Sequence, residues 1–142
     1  MIMPSTMQPD LKSLIIKTPT VTKETTIKDF ITLMEKHKTD LMPVVDNNMV
    51  VGVVSENDLI KLVKAQPIAG MQAVIVSNIP KNLEGRTVGE IMTKHPITIN
   101  IKSTIIETIK AMTASNLKRI IAVDDSKKLL GIIRIKDLWA IL

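Results

Sequence analysis

The sequence has no cysteine and no tyrosine, and its aromatic residues are Phe30 and Trp139 alone. Without cysteine, disulfides, thiolate metal ligands and cysteine nucleophiles are all excluded, and a cytoplasmic setting is the expectation. With so few rings, the core must be built from Ile, Leu, Val and Met, and there is no aromatic platform on which nucleic-acid bases would stack. Histidine is also scarce: His37 and His95 are the two present, and neither has an acidic or histidine partner at metal-ligand spacing. No apolar run approaches the ~20 residues that cross a bilayer. The opening Met1-Ile2-Met3-Pro4 lacks a charged region followed by an apolar stretch, so no signal peptide is expected. The formal charge is +5, yet the lysines are scattered and no basic run exceeds two residues, as at Lys127-Lys128. No helix-turn-helix, RNP or zinc-finger pattern accompanies that charge, which reads as a solvated surface rather than a nucleic-acid footprint.

What is present is a chain of 142 residues, 45% of them hydrophobic, enough for one ordinary domain or two small units sharing a core. Branched aliphatics at that density suit buried strands and the helices that cover them. The nine methionines fall mostly at apolar positions or at the N-terminus, where they read as core and tail.

The chain is written twice. Leu11-Lys12-Ser13-Leu14-Ile15 lies over Val88-Gly89-Glu90-Ile91-Met92, and Pro19 over Pro96. After one inserted residue, Thr26-Ile27 meets Thr104-Ile105, Met34 meets Met112, and Val45-Asp46 meets Val123-Asp124. After a second insertion, in a turn, Gly52 meets Gly131 and Asp58-Leu59 meets Asp137-Leu138. Each half carries a short apolar segment ending at a proline, then a short strand (Thr20–Thr22; Ile97–Ile99) and an amphipathic helix. That helix shows Ile27, Phe30, Ile31 and Met34, or Ile105, Ile109 and Met112, at helical spacing. Two strands then pair across a polar turn, Leu41–Val45 with Val50–Val54 and Arg119–Val123 with Leu129–Ile133, and a last helix starts near Ser55 or Arg134. The predicted class is α/β of the α+β type: two β-α-β-β-α repeats packed pseudo-symmetrically. The first repeat with its N-terminal segment spans 1–66, a connection 67–86, and the second repeat 87–142. The connection carries Pro67, Gly70, Pro80 and Gly85, with one short element expected at Ala73–Val76.

The strongest local pattern is Gly-apolar-apolar-x-x-x-Asp-Leu, present as Gly52–Leu59 and again as Gly131–Leu138. In each, a buried strand ends and a helix begins. A helix N-terminus presents free N–H groups suited to a phosphate, and an Asp one turn in could accept two hydroxyl hydrogen bonds from a ribose. Ser55-x-x-Asp58 is also close to a capping box, in which both side chains serve their own helix. Asp137 persists where Ser55 is replaced by Arg134, which a capping box does not explain, so a shared site geometry stands beside the capping reading.

These runs, with Val88-Gly89-Glu90-Ile91-Met92-Thr93 and Met42-Pro43-Val44-Val45-Asp46, resemble the CBS family, whose repeats pair into a Bateman module. The resemblance covers Leu11 to Leu142. It implies clefts between repeats that take AMP, ADP, ATP or S-adenosylmethionine-like ligands, and homodimerisation through helix faces. Carried onto this sequence, one cleft would use Val53, Ser55, Asp58, Thr93, Ile97, Leu117, Lys118 and Arg119. Asp58 would hold the ribose, Val53 and Ile97 the adenine, and Ser55, Lys118 and Arg119 the phosphates; arginine suits a bidentate phosphate contact. The second cleft would use Ile16, Thr20, Leu41, Arg134 and Asp137, with Asp40 where the first has Lys118. A carboxylate near a phosphate is repulsive, so this cleft is expected to be the weaker, or to prefer a ligand with less negative charge. Ile121, standing where the first repeat has Pro43, is a departure expected to matter little for binding. His95 aligns near a cleft entrance, while His37 falls near a helix end, where it would complement the dipole.

No catalytic residues and no metal ligands are expected, and no cofactor is required beyond a regulatory adenosine nucleotide. The expected function is a ligand-sensing regulatory module, not an enzyme, acting on a regulated protein that the chain does not reveal. The alternatives are a structural dimerisation scaffold without a working site, and a basic nucleic-acid-binding protein; neither nucleic acid nor membrane is the expected partner.

Overall fold

The computed structural model describes residues 10–65 and 84–142; the element expected at Ala73–Val76, with most of the connection, lies outside the described residues. The architecture is mixed α/β with two three-stranded sheets. The chain divides into two compact units: one runs from Pro19 to Pro96, and the other joins the segment ending at Thr18 to Ile97–Leu142.

In the unit from Pro19 to Pro96, helix α1 (Ile27–His37) starts at Thr26, whose side chain accepts the Asp29 N–H at 3.1 Å, and ends on Lys38 in the left-handed region. Lys36 and His37 fall in its last turn, where a basic side chain meets the negative end of the dipole. Strands β1 (Leu41–Asp46) and β2 (Met49–Ser55) pair antiparallel, from Leu41 opposite Ser55 to Asp46 opposite Met49. The turn between them is Asn47-Asn48, both at positive φ, a geometry whose twist matches that of the flanking strands and which asparagine tolerates. Helix α2 (Glu56–Ala65) follows directly. The short helix α3 (Val88–Ile91) leads into β3 (Thr93–Lys94), which pairs with Gly52 and Val53 as the third strand. Val21, Phe30, Met42, Val44, Val54 and Val88 form the core.

The strand expected at Thr20–Thr22 contracts to one bridge, Val21 beside Val44. Val21 donates to Pro43 O at 3.1 Å and accepts from Val45 N at 2.9 Å. The ladder cannot extend back past Val44, because Pro43 has no N–H to give.

The other unit repeats the plan with the difference that the proline makes. Strand β4 (Thr98–Asn100) runs parallel to β5 (Arg119–Val123) over Thr98–Ile121, Ile99–Ala122 and Asn100–Val123. Ile121 occupies the place of Pro43, and its N–H is available to a full strand. Between them, α4 (Ile105–Ala114) opens on a capping box: Thr104 accepts from Glu107 N at 3.0 Å, and Glu107 accepts from Thr104 N at 3.3 Å. Strand β6 (Leu129–Arg134) pairs antiparallel with β5 and runs into α5 (Ile135–Trp139). A 3-10 turn, Leu11–Leu14, is capped by Asp10, and beyond it Ile16 bridges Ile132 with reciprocal hydrogen bonds of 2.8 and 2.9 Å. Leu11, Ile109, Met112, Ile120, Ile133 and Leu138 are among the residues of this core.

Each leading segment therefore lies against the sheet of the other half of the sequence. The segment around Ile16 closes on β6, and its repeat equivalent around Thr93 closes on β2. The repeated glycines mark these approaches. A Cβ on Gly52 would meet Met92 Sδ at 2.7 Å and Thr93 O at 3.0 Å; one on Gly131 would meet Ile15 Cγ2 and Ile16 O, both at 2.5 Å.

Candidate functional site

Both copies of the Gly-to-Leu pattern build a corner in which a strand turns into a helix. In each, the first helical N–H is already taken by the chain: Glu56 N donates to Asp40 O at 2.8 Å, and Ile135 N to Lys118 O at 2.9 Å. The corners differ in what the aspartate does.

At the first corner, Asp58 reaches back from the first turn of α2. Its Oδ2 accepts the Ser55 N–H at 2.9 Å and the Ser55 hydroxyl at 3.2 Å. One oxygen thus carries the reciprocal half of a cap. The other, Oδ1, has no hydrogen-bond partner among the described residues, and the side chain is half-buried. A partly desolvated carboxylate oxygen without a partner is a ready acceptor for a hydroxyl or amide donor. Val53, half-buried on β2, has the exposed Thr93 as its cross-strand partner. The fold therefore collects Val53, Ser55, Asp58 and Thr93 into one unit, where Leu41 lies opposite Ser55 and Thr20 is exposed.

At the second corner, Asp137 is fully engaged. Arg134 Nε donates to Oδ2 at 2.8 Å and Nη2 to Oδ1 at 3.2 Å, a fork that occupies both oxygens. Asp137 is thus held by a local partner as Asp58 is, which removes the argument that its persistence alone marks a shared site. The pairing was readable as an i, i+3 contact of opposite charges, a signal that sequence reasoning passed over in treating Arg134 only as a missing hydroxyl. Ile16, Ile97, Leu117, Lys118 and Arg119 lie in this same unit. Ile97 is 49% exposed, Lys118 is exposed and Leu117 and Arg119 are half-buried. Arg119 and Arg134 are direct partners across β5 and β6. His95 is exposed, at positive φ.

Among the described residues, no group of three or more His, Asp or Glu side chains is placed to hold a metal ion, and no helix is long and apolar enough to cross a membrane.

The model of the CBS domain matches residues 10–65 and 88–138; the chain belongs to the CBS-domain family, with two copies in tandem. It is 29% identical over 123 residues, or 87% of its length, to the uncharacterized protein MJ1232 of Methanocaldococcus jannaschii. The aligned part spans only 36% of that relative. Among solved structures it is similar to CBSX2 of Arabidopsis thaliana in complex with AMP, with a TM-score of 0.72 and 22% identity over 92% of this chain and 93% of that one. It is also similar to the CBS domain pair of MJ0100 in complex with 5′-methylthioadenosine and S-adenosyl-L-methionine, with a TM-score of 0.70 and 21% identity over 94% of each chain. At these identities the structures show the fold: the chain is a CBS pair.

Proposed function

We propose that this CBS pair is a regulatory sensor of an adenosine-type ligand, a nucleotide such as AMP, ADP or ATP or a molecule like S-adenosylmethionine, and that it binds without a catalytic step. The observation that carries the reading is the division of labour on Asp58: one carboxylate oxygen secures α2 through Ser55, and the other has no partner among the described residues. Ribose hydroxyls suit that oxygen. The adenosine ligands of CBSX2 and of MJ0100 support the ligand class. In this reading Val53 and Ile97 take the adenine, and Ser55, Thr93, Leu117, Lys118 and Arg119 complete the ligand's surroundings. Ile16, Thr20, Leu41, Arg134 and Asp137 belong to a weaker site. Binding would be read by a regulated protein through a change in this chain's conformational balance. A cytoplasmic homodimer formed through helix faces fits Ile60 on α2 and Trp139 on α5, which are 43% and 48% exposed.

A second reading, a structural scaffold with no working site, is favoured by the local duties of both aspartates. Calorimetric titration of AMP, ADP, ATP and S-adenosylmethionine into wild type, Asp58→Ala and Asp137→Ala separates the two. Saturable binding abolished by Asp58→Ala supports the sensor. Loss only in Asp137→Ala moves the site to the second corner, and silence from folded wild type leaves the scaffold. Asp58→Ala also strips both hydrogen bonds that Ser55 donates to it, so its thermal unfolding must be followed beside the titration, with a cost of about 1 kcal/mol or more expected. Chromatography of the recovered nucleotide tests the non-catalytic part: hydrolysis would overturn it.

A further inference from the structure

We propose that Arg134 is a built-in occupant of the second repeat's carboxylate: by forking onto both oxygens of Asp137 it closes that corner to hydroxyl-bearing ligands, so the chain holds one adenosine-type ligand, and Arg134→Ser opens a second site. This rests on the reading that a free carboxylate oxygen at the Asp58 corner takes ligand hydroxyls.

The two corners are a matched comparison inside one molecule. Their aspartates hold equivalent positions, one turn into the helix that follows a β strand. Their first helical N–H groups go to equivalent carbonyls, of Asp40 and of Lys118. The difference is the residue three places before the aspartate. Ser55 is short and neutral, and both its donors converge on the single oxygen Oδ2. Arg134 brings two parallel N–H donors whose spacing matches a carboxylate, at 2.8 and 3.2 Å, and Oδ1 is consumed along with Oδ2. A ribose hydroxyl at Asp137 would have to displace a charge-assisted bond with a neutral one, and charge-assisted bonds are the stronger.

A further feature binds Arg134 to this task. Its direct partner on β5 is Arg119, a second guanidinium. The Asp137 carboxylate neutralises Arg134 locally. At the first corner the corresponding pair is Leu41 and Ser55, with no charge to neutralise, so Asp58 keeps an oxygen to spare. The Arg134–Asp137 pair is 39% and 27% exposed, so it can open to solvent without a change of fold. Its effect is to compete for the carboxylate.

The experiment is calorimetric titration of AMP into wild type, Asp58→Ala, Arg134→Ser and the double variant Asp58→Ala/Arg134→Ser, with an unfolding transition recorded for each. The expected result is one AMP bound by wild type, two by Arg134→Ser, little by Asp58→Ala, and a saturable site in the double variant. That site should be at least about tenfold tighter than in Asp58→Ala, a gain of ~1.4 kcal/mol. If wild type binds AMP and the folded double variant binds no better than Asp58→Ala, the inference is overturned while the sensor reading stands. Two AMP per wild-type chain would overturn it equally. If wild type is silent and the double variant binds, the Asp58 assignment falls and Arg134 as occupant stands; if all four are silent, both fall. Arg134→Gln, which keeps the stem but loses the fork, repeats the test should Arg134→Ser not fold. The Arg134 Nε–H resonance gives a ligand-free readout: it should exchange slowly with water in wild type and quickly in Asp137→Asn, and equal exchange would argue against a persistent fork.

Discussion

The two units of this CBS pair solve the same folding problem with different residues. One places Pro43 in its first long strand and keeps a single bridge at Val21; the other has Ile121 there and gains a three-residue strand, Thr98–Asn100. One secures the helix after its hairpin with a serine and an aspartate, the other with an arginine–aspartate fork. One seats its incoming segment against Gly52 with a methionine side chain as nearest neighbour, the other against Gly131 with the Ile15 side chain and the Ile16 carbonyl equally near. A repeat fixes which elements form and in what order, because apolar pattern and turn chemistry are retained. It leaves free the polar residues at the corners.

The largest expected asymmetry lies in the glycines. A Cβ at Gly131 would be driven into Ile16 O at 2.5 Å, and the residue sits at φ +152°, so neither a rotamer change nor an unstrained backbone relieves it. Gly131→Ala should cost about 3 kcal/mol or more. At Gly52 the nearest atom is the thioether sulfur of Met92, at 2.7 Å, the adaptable end of a flexible side chain. Gly52→Ala should cost only about 1–2 kcal/mol. Urea denaturation of both variants checks this; equal costs, or a larger one at Gly52, would mean that the segment around Ile16 yields more readily than its hydrogen bonds to Ile132 suggest.

Those glycines also show what could be read in the sequence. Their repetition was plain, but the reason for it, a backbone crossing from the other half, was not. Aligning two repeats says that Leu11–Ile15 and Val88–Met92 are equivalent, and is silent on which sheet each joins. The helices, the hairpins and their polar turns were legible because local periodicity and turn residues specify them. On its Thr20 side the strand expected at Thr20–Thr22 was overdrawn because the missing N–H lies at Pro43 of its partner, outside the local window. Asp58 and Asp137 were visible as a pair. That one shares a single oxygen with serine and the other yields both to arginine depends on side-chain geometry that spacing cannot give.

A smaller difference is expected at the starts of α1 and α4. Thr26 accepts from Asp29 N at 3.1 Å, and among the described residues Asp29 returns no bond to it. Thr104 and Glu107 satisfy each other in both directions. Thr26→Ala and Thr104→Ala should each cost about 1 kcal/mol. The acidic partners should separate: Glu107→Ala removes a bond to the Thr104 N–H and should cost about 0.5–1 kcal/mol, whereas Asp29→Ala loses only its favourable place at the positive end of the helix, about 0.3 kcal/mol when exposed. Thermal unfolding at low salt resolves the order, and a greater loss at Asp29 would mean that dipole rather than hydrogen bonding dominates these caps.

The smallest effect belongs to an exposed tie found in one unit only. Asp125 accepts from Lys102 Nζ at 2.5 Å and from Asn100 Nδ2 at 3.0 Å, joining the end of β4 to the β5–β6 turn. The equivalent places in the other unit hold Thr22, Glu24 and Asn47, which cannot form that ion pair. The hydrogen bond from Lys102, then the one from Asn100 and the lysine's charge, hold the Asp125 carboxyl below its ordinary value of 3.8. The bond to Asp125, followed by its charge, raises Lys102 above 10.5. An unfolded chain would thus take up a proton at Asp125 before the folded one does, so that contribution is present above the ordinary carboxylate value and fades as pH falls through the lowered one. The lysine contributes below its ordinary value and fades as pH rises through the raised one. Between these limits the tie is intact, and because both groups are exposed, salt should screen it. In an NMR titration of the Asp125 side-chain carboxyl, Lys102→Ala should move the midpoint up toward the ordinary range, and Asn100→Ala should move it up by less. An unmoved midpoint in Lys102→Ala would show that the pair does not persist in solution.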